Sequence, residues 1–355
     1  MIQQFLVKIL LAPFALLYGI GISLRDFFYR KELLKGVEFN VPVIAVGNLT
    51  VGGAGKSPHI EYLIRLLNDY IEVATLSRGY KRKTKGFLEV QSNMTAETAG
   101  DEPLQFKRKF PEIVVTVSES RTFGIPEIVK RHPRNQVVLL DDAFQHRSVK
   151  PGLNILLTEY RYPFTQDFLL PVGRLREWRS AYQRADIIVV SKCPRQLGTT
   201  ERDALLQEIR PFPYQKVYFS TFSYQNPYYL FNPAQQVQLG PEVDVLLISA
   251  IARTEYLTEY LEEQVKEVFS LEYEDHHFFT NFDISHLKRT FDALENPKKI
   301  ILTTEKDGMR LELHRNFLLE HRLPVFVLPV EVEFLFGDGL KFDQQIREYL
   351  LSFRS

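Results

Sequence analysis

The stretch from Val41 to Ser57 constrains this chain more than any other. Val41 to Val46 (VPVIAV) is a short apolar run rich in β-branched residues, the pattern of a strand buried on both faces. It passes directly into Gly47-Asn48-Leu49-Thr50-Val51-Gly52-Gly53-Ala54-Gly55-Lys56-Ser57-Pro58, after which Ile60, Leu63, Ile64 and Leu67 recur at helical spacing. A strand that turns through glycines into a helix is the context of a phosphate-binding loop. Glycines let backbone N–H groups converge on phosphate oxygens, and the helix N-terminus adds positive potential. Lys56 is placed to reach the β- and γ-phosphates, and the Ser57 hydroxyl to ligate Mg²⁺. The usual pattern carries Gly where this chain has Thr50.

A second element of the same chemistry follows. Asn135 to Leu140 (NQVVLL) reads as another buried strand and ends in Asp141-Asp142. An acid at the carboxyl end of such a strand can hold Mg²⁺ or a water bound to it. The strand predicted over 71–76 leads into Arg78, Lys81, Arg82, Lys83 and Lys85, five cations in eight residues. Two readings stand for that run: a solvated loop, or a contact with an anionic substrate or membrane surface. Lys plus Arg balance Asp plus Glu, 44 against 44, so no overall field draws the chain onto nucleic acid. A single cysteine, Cys193, excludes an internal disulfide framework and a thiolate zinc cluster.

The N-terminus is the one strongly apolar segment. Phe5 to Leu24 supplies 20 residues, enough to cross a hydrocarbon core of about 30 Å. Lys8, Pro13, Gly19 and Gly21 interrupt it, and Arg25, Arg30, Lys31 and Lys35 follow at once. That order predicts an anchor in or on a membrane, with the rest of the chain on the cytoplasmic side. The competing reading is a buried first helix of the globular core.

These motifs, with those further along, resemble one family, the tetraacyldisaccharide 4'-kinases (lipid A 4'-kinases) of Gram-negative bacteria. The resemblance rests on GNLTVGGAGKSP (47–58), SRGY (77–80), GDEP (100–103), DDAFQHR (141–147), LLPVGRLRE (169–177), SAIAR (249–253), DHHFFT (275–280) and TTEKD (303–307). The family usually has Thr where Ala54 and Ser57 stand, and Gly where Ala143 stands. The resemblance implies transfer of the ATP γ-phosphate to the 4'-hydroxyl of a tetraacylated glucosamine disaccharide 1-phosphate, giving the bisphosphorylated lipid A precursor. It implies ATP and Mg²⁺, no nucleic acid, and a monomer at the cytoplasmic face of the bacterial inner membrane. Nucleotide contacts are expected at Thr50, Val51, Gly52, Gly53, Ala54, Gly55, Lys56, Ser57 and Gln145, and metal contacts at Ser57, Asp141 and Asp142. Asp101 is expected as the base, oriented by His276. Arg176 is the expected phosphate clamp, with Arg174 and Arg179 as flanking alternatives. Glu305-Lys306-Asp307 receives no role.

Strands predicted at 41–46, 71–76, 113–117, 137–140, 153–157 and 186–190 alternate with helical patterns. This reads as an α/β, P-loop NTPase-like fold: a mostly parallel sheet with helices on both faces, and a second, smaller α/β unit. The expected organisation is an N-terminal membrane-associated helix (1–30), a P-loop kinase domain (31–215), a connector (216–232) and a C-terminal α/β domain (233–355). In that layout the last helix is free to pack on either domain. The rival reading is a P-loop GTPase of the metallochaperone type. Such proteins need a guanine-reading Asn-Lys-x-Asp, and Val190-Ser191-Lys192-Cys193 lacks both its Asn and its Asp.

Overall fold

The structure, a computed structural model, describes residues 2–353; Met1 and the last two positions, at the outer ends of the expected terminal segments, lie outside the described residues. Nine strands form the larger sheet: β1 (Val43–Asn48), β2 (Val73–Ser77), β3 (Leu88–Glu89), β4 (Val114–Val117), β5 (Val137–Asp141), β6 (Leu153–Glu159), β7 (Ile187–Ser191), β8 (Lys216–Tyr224) and β15 (Val330–Phe334). Six form the smaller: β9 (Tyr228–Tyr229), β10 (Asn232–Gln236), β11 (Asp244–Ser249), β12 (Glu267–Glu272), β13 (Lys299–Thr304) and β14 (Val325–Leu328).

The larger sheet runs β15-β8-β7-β6-β1-β5-β2-β4-β3, parallel throughout except for the edge strands β3 and β15. Parallel strands are covered by helices on both faces, and β1 shows why its sequence is continuously apolar. Ile44 and Val46 enter one core with Ile60, Leu63 and Ile64, whereas Val43 and Ala45 enter another with Ile125 and Ile128. β1 lies between β5 and β6, so the phosphate loop leaves the centre of the sheet at the carboxyl ends of the strands, where ligands of open α/β sheets bind. In the smaller sheet β11, β12, β13 and β14 are parallel and β9 and β10 antiparallel.

Two expected boundaries move. Residues 216–224 of the expected connector form β8, paired in parallel with β7. The chain also returns to the larger unit at its end. β15 pairs with β8, and Val332, Phe334, Phe342 and Ile346 join the core beside helix α2 (Lys56–Asn68). The larger unit is therefore completed only by residues that follow the smaller one.

The first helix, α1 (Ile2–Arg30), contains Pro13, and within Val7–Arg30 an 18-residue window has a mean hydropathy of 1.9 with 11% of it buried. Leu10, Phe14, Leu16, Leu17 and Ile20 are exposed. Its main contacts with the body lie from Tyr18 onward. Ile22 is buried, the Trp178 indole donates to Ser23 Oγ at 2.9 Å, and Arg25 and Asp26 pair with Glu177 and Arg147. The buried-core reading of this helix is thereby rejected.

The two units are braced by a buried charge cluster. Lys109 lies 2.7 Å from Glu61 of α2 and 2.6 Å from Glu305 of the smaller unit, so two carboxylates share one ammonium. Burial first, then the charge of Glu305, outweigh Lys109 and Arg65 and raise the Glu61 carboxyl from 4.5 to about 7. The folded chain thus retains a proton that the unfolded chain releases. This contribution to stability is full below about pH 4.5 and lost as pH rises through about 7. Glu61→Gln should remove that slope, so its unfolding free energy relative to wild type should grow across this window. Urea melts at both ends check it; parallel pH profiles for the two proteins would refute it.

Candidate active site

The loop joining β1 to α2 closes around its own strand end. Gly55 caps α2 with φ +84°, and a Cβ there would stand 2.8 Å from the Phe222 ring, so only glycine suits this position. Lys56 Nζ donates to Asn48 Oδ1 at 3.2 Å and lies 3.7 Å from Asp142. Ser57 Oγ donates to Glu102 Oε1 at 3.4 Å. Thr50, at the position usually held by Gly, is buried and accepts from Asn48 Nδ2 at 3.3 Å. Val51 N–H donates to the Arg174 carbonyl at 2.8 Å, and Arg176 N–H to that of Leu49 at 2.7 Å. The 174–176 segment thus fixes the outer side of the loop.

A cleft of about 810 Å³ opens over this loop and between the two units. Thr50, Val51, Gly52, Gly53, Gly55, Lys56, Ser57, Asp141, Asp142, Gln145, Arg176 and His276 all line it. Two expected residues do not. Ala54 is buried beneath the loop in the hydrophobic core, and Asp101 lies behind His276 and only 4% exposed. Among the three candidate arginines the geometry selects one. Arg174 and Arg179 both turn to Asp167, whereas Arg176 faces the cleft.

Arg176 reaches both oxygens of Asp142, at 2.9 and 3.1 Å, and donates to Asn48 Oδ1 at 2.6 Å. Burial pushes the Asp142 carboxyl up, but Lys56 and then Arg176 outweigh it and hold the group below the usual carboxylate range. Asp142 is therefore an ion-pair partner of Lys56 and Arg176 in this structure. Asp141 is different. It is buried at the end of β5, its Oδ1 has no hydrogen-bond partner among the described residues, and burial followed by the charge of Glu102 raises it to about 8. Such a carboxylate lacks a cation. With the Ser57 hydroxyl it offers oxygen donors of the kind Mg²⁺ takes alongside phosphate oxygens and water, so these residues fit that ion. Gln145 donates to the Asn48 carbonyl at 2.8 Å and leaves its own Oε1 buried and unpartnered.

The opposite wall comes from the smaller unit. His276 sits in the turn after β12 with φ +58°, its N–H held by the Ala250 carbonyl at 3.0 Å. Its Nδ1 lies 3.0 Å from Asp101 Oδ2, and Tyr80 packs on the ring with centroids 4.6 Å apart. Burial alone would raise Asp101. Lys306, the hydrogen bond and charge of His276, and Arg310 together override burial and hold the carboxyl far below its ordinary range. A carboxylate this well compensated, and shielded from the cleft by the imidazole, is a poor proton acceptor. The geometry thus presents His276 to the cleft and places Asp101 behind it.

Several site residues had no role in the sequence reading. Lys306 lies 3.0 Å from His276 Nε2 and 3.2 Å from Glu102. Arg121, buried in the helix Arg121–Arg131, donates to the Asp141 carbonyl at 3.2 Å. Its Ser-capped helix start gives no sequence signal, whereas Lys306 belonged to a recognised block. Of the basic run after β2, Arg78 lines the cleft; Lys81, Arg82 and Lys83 are engaged by the His276 carbonyl, Glu119 and Glu97.

A phosphate loop at the switch point of a parallel sheet, facing an imidazole–carboxylate pair across one cleft, defines a P-loop phosphotransferase. The family model for tetraacyldisaccharide-1-P 4'-kinase (LpxK) matches residues 7–351, and the chain belongs to that family. It is 41% identical to the tetraacyldisaccharide 4'-kinase of Bacteroides thetaiotaomicron, over 96% of this chain and 92% of the relative. It is 42% identical to that of Flavobacterium psychrophilum, over 99% and 98%. A crystal structure of Aquifex aeolicus LpxK in complex with ATP is similar with a TM-score of 0.73 and 30% identity, covering 97% of this chain and 99% of that one. These similarities leave the GTPase alternative unfavoured.

Lys56→Ala and Ser57→Ala should each lower kcat on the order of 10²–10⁴-fold, the scale of removing a preorganised electrostatic group. Steady-state kinetics on folded variants tests this, and wild-type turnover in Lys56→Ala would remove the loop from the chemistry.

Proposed function

We propose that the chain transfers the γ-phosphate of ATP to the 4'-hydroxyl of a tetraacylated glucosamine disaccharide 1-phosphate, with His276 as the base. The observation that carries this reading is that Lys56 and Ser57 on one wall and His276 on the other face a single cleft. In the transfer, the 4'-oxygen attacks the γ-phosphorus and the bond to the β,γ-bridging oxygen breaks, its electrons leaving with ADP. The hydroxyl proton passes to His276 Nε2, and Asp101 holds Nδ1–H and balances the imidazolium. Lys56 neutralises developing phosphate charge, and Arg176 shifts from Asp142 to phosphate oxygens. Mg²⁺, when bound, neutralises the β- and γ-phosphate oxygens, and Ser57 and Asp141 are the residues that would hold it. Phe222, Tyr224, Tyr256 and Leu257 form an apolar wall beyond the loop that suits the base of the nucleotide. Tyr18 and Arg25 of α1 also line the cleft, with Arg78, and the two arginines are cations that suit a sugar phosphate presented from a membrane.

We place the enzyme on the cytoplasmic face of the bacterial inner membrane, held there by α1. The exposed apolar side chains before Ile22 and the basic residues from Arg25 to Lys35 support this reading. One chain supplies both walls of the cleft, which supports action as a monomer. Incubation of the purified protein with ATP, Mg²⁺ and the disaccharide 1-phosphate should give a bisphosphorylated product by mass spectrometry; ATP turnover unaffected by the acceptor would overturn the assignment.

The docking of α1 separates anchoring from folding. Deletion of residues 1–17 should release the protein from membranes and raise KM for a bilayer-presented acceptor, while its melting temperature stays near wild type. Deletion through Asp26 also removes buried Ile22 and two ion pairs, and should lower that temperature. Vesicle flotation with thermal melts reads both effects; unfolding of the shorter deletion contradicts the anchor.

If His276 and Asp101 act as one unit, His276→Ala should cost about 10²–10⁴ in kcat with little change in ATP affinity. Asp101→Asn should cost no more than that, and the double variant should be little worse than His276→Ala alone. Additive losses in the two single variants would assign them separate tasks.

A further inference from the structure

The mechanism above needs His276 Nε2 to hold a lone pair, yet a histidine paired with a carboxylate tends toward the doubly protonated form. The groups facing this ring divide by sign. Asp101, on the helix Asp101–Lys109, touches Nδ1, and Asp275, in the same turn as His276, lies 3.9 Å from Nε2. Both favour the imidazolium. Lys306 and Arg310, on the helix Glu305–Leu311, and Lys81, whose ammonium donates to the His276 carbonyl at 3.0 Å, oppose it. Tyr80 contributes an aromatic face without charge.

Lys306 is the decisive member because of where its ammonium points. Nζ lies 3.0 Å from His276 Nε2. An ammonium has only donors, so the nitrogen facing it at this distance accepts and carries no proton. The ring's single proton is then on Nδ1, facing Asp101. Lys306 is itself held as the cation. Burial would strip its proton, but Glu102, Asp101 and Asp275 outweigh burial and raise the group above the ordinary lysine range. Glu102 Oε1 and Asp275 Oδ1, at 3.2 and 3.7 Å, keep it in place. Glu102 in turn accepts from Ser57, so the same carboxylate touches the phosphate loop and the ammonium that caps the base.

We propose that Lys306 is a positioning residue that keeps His276 Nε2 free of a proton and yields that nitrogen to the acceptor's 4'-hydroxyl. The inference rests on the reading of His276 as the base. It deepens that reading by naming the group that maintains the base in its competent form. When the hydroxyl arrives it replaces the ammonium as the donor to Nε2. Lys306, still tethered by Glu102 and Asp275, remains close enough to discourage protonation from solvent.

The test reads the ring directly. Protein carrying ¹⁵N-histidine, with the His276 signals assigned by their loss in His276→Gln, is compared as wild type, Lys306→Met and Lys306→Arg in the absence of nucleotide. Wild type should show a neutral ring with Nδ1 protonated near neutral pH, and Lys306→Met an imidazolium. Lys306→Arg, which keeps the donor and the charge, should resemble wild type. In turnover, Lys306→Met should lose roughly 10²-fold in kcat near neutral pH, recover most of it at alkaline pH, and keep its KM for ATP. A ring that stays neutral in folded Lys306→Met, or a loss of kcat equal at all pH values, overturns the proposal. Failure of wild type to phosphorylate the acceptor would instead count against the kinase reading, since the ring signals do not depend on turnover.

Discussion

The site depends on charges gathered between two α/β units, where carboxylates outnumber the cations they share. Asp101, Glu102, Asp275 and Asp307 meet Lys306 and Arg310 on one side of the cleft, and Glu61 and Glu305 meet Lys109 beside it. Taking any one ion out of water is costly, and removing a partner leaves an uncompensated charge. These ion pairs help hold the units in register, and that register decides whether His276 meets Asp101. A purely hydrophobic interface would hold the units together without fixing that contact to within a hydrogen bond's length.

Much of the larger unit was legible because its signals are local. Buried parallel strands write continuous apolar runs, and the six predicted strands correspond to β1, β2, β4, β5, β6 and β7 with ends displaced by a few residues. The phosphate loop was legible for the same reason: strand, glycines, lysine and helix are adjacent in sequence. Residues 216–224 were misread because an edge-proximal strand of Lys, Tyr, Ser and Thr with two prolines shortly after it lacks the apolar run of a central strand. The return of β15 and the last helix to the larger unit depends on where Phe334 and Phe342 find a core, which no local pattern encodes.

The chemistry across the cleft was legible only through family resemblance, since Asp101 and His276 are brought together by tertiary structure alone. Even then the motifs did not show that His276, and not Asp101, lines the cleft. Burial and neighbouring cations decide which partner can accept a proton, and neither is visible in the motifs GDEP and DHHFFT. Lys306 shows the same limit. Its block was recognised, but the role proposed for it rests on the direction of one ammonium toward one ring nitrogen. Asp141 and Asp142 likewise look equivalent in sequence, yet one is paired with Arg176 and the other retains an unpartnered buried oxygen.

One short segment joins the apolar first helix to the phosphate loop. Tyr18 of α1 donates to the Arg176 carbonyl at 3.0 Å, and Trp178 grips Ser23. From the other side of that segment, Leu175 bridges to Thr50, and the Arg176 side chain holds Asn48 and Asp142. Residues 175–178 therefore touch α1 through one set of atoms and the nucleotide wall through another, with no flexible linker between them. A lipid acceptor can approach only from the plane of the bilayer, and its hydroxyl must reach the γ-phosphate within bonding distance. An anchor on a loose tether would raise the acceptor's local concentration without orienting it. With α1 as the anchor proposed above, its docking onto the segment that shapes the loop would tie the plane of the acceptor to the position of the phosphate, which in-line transfer requires.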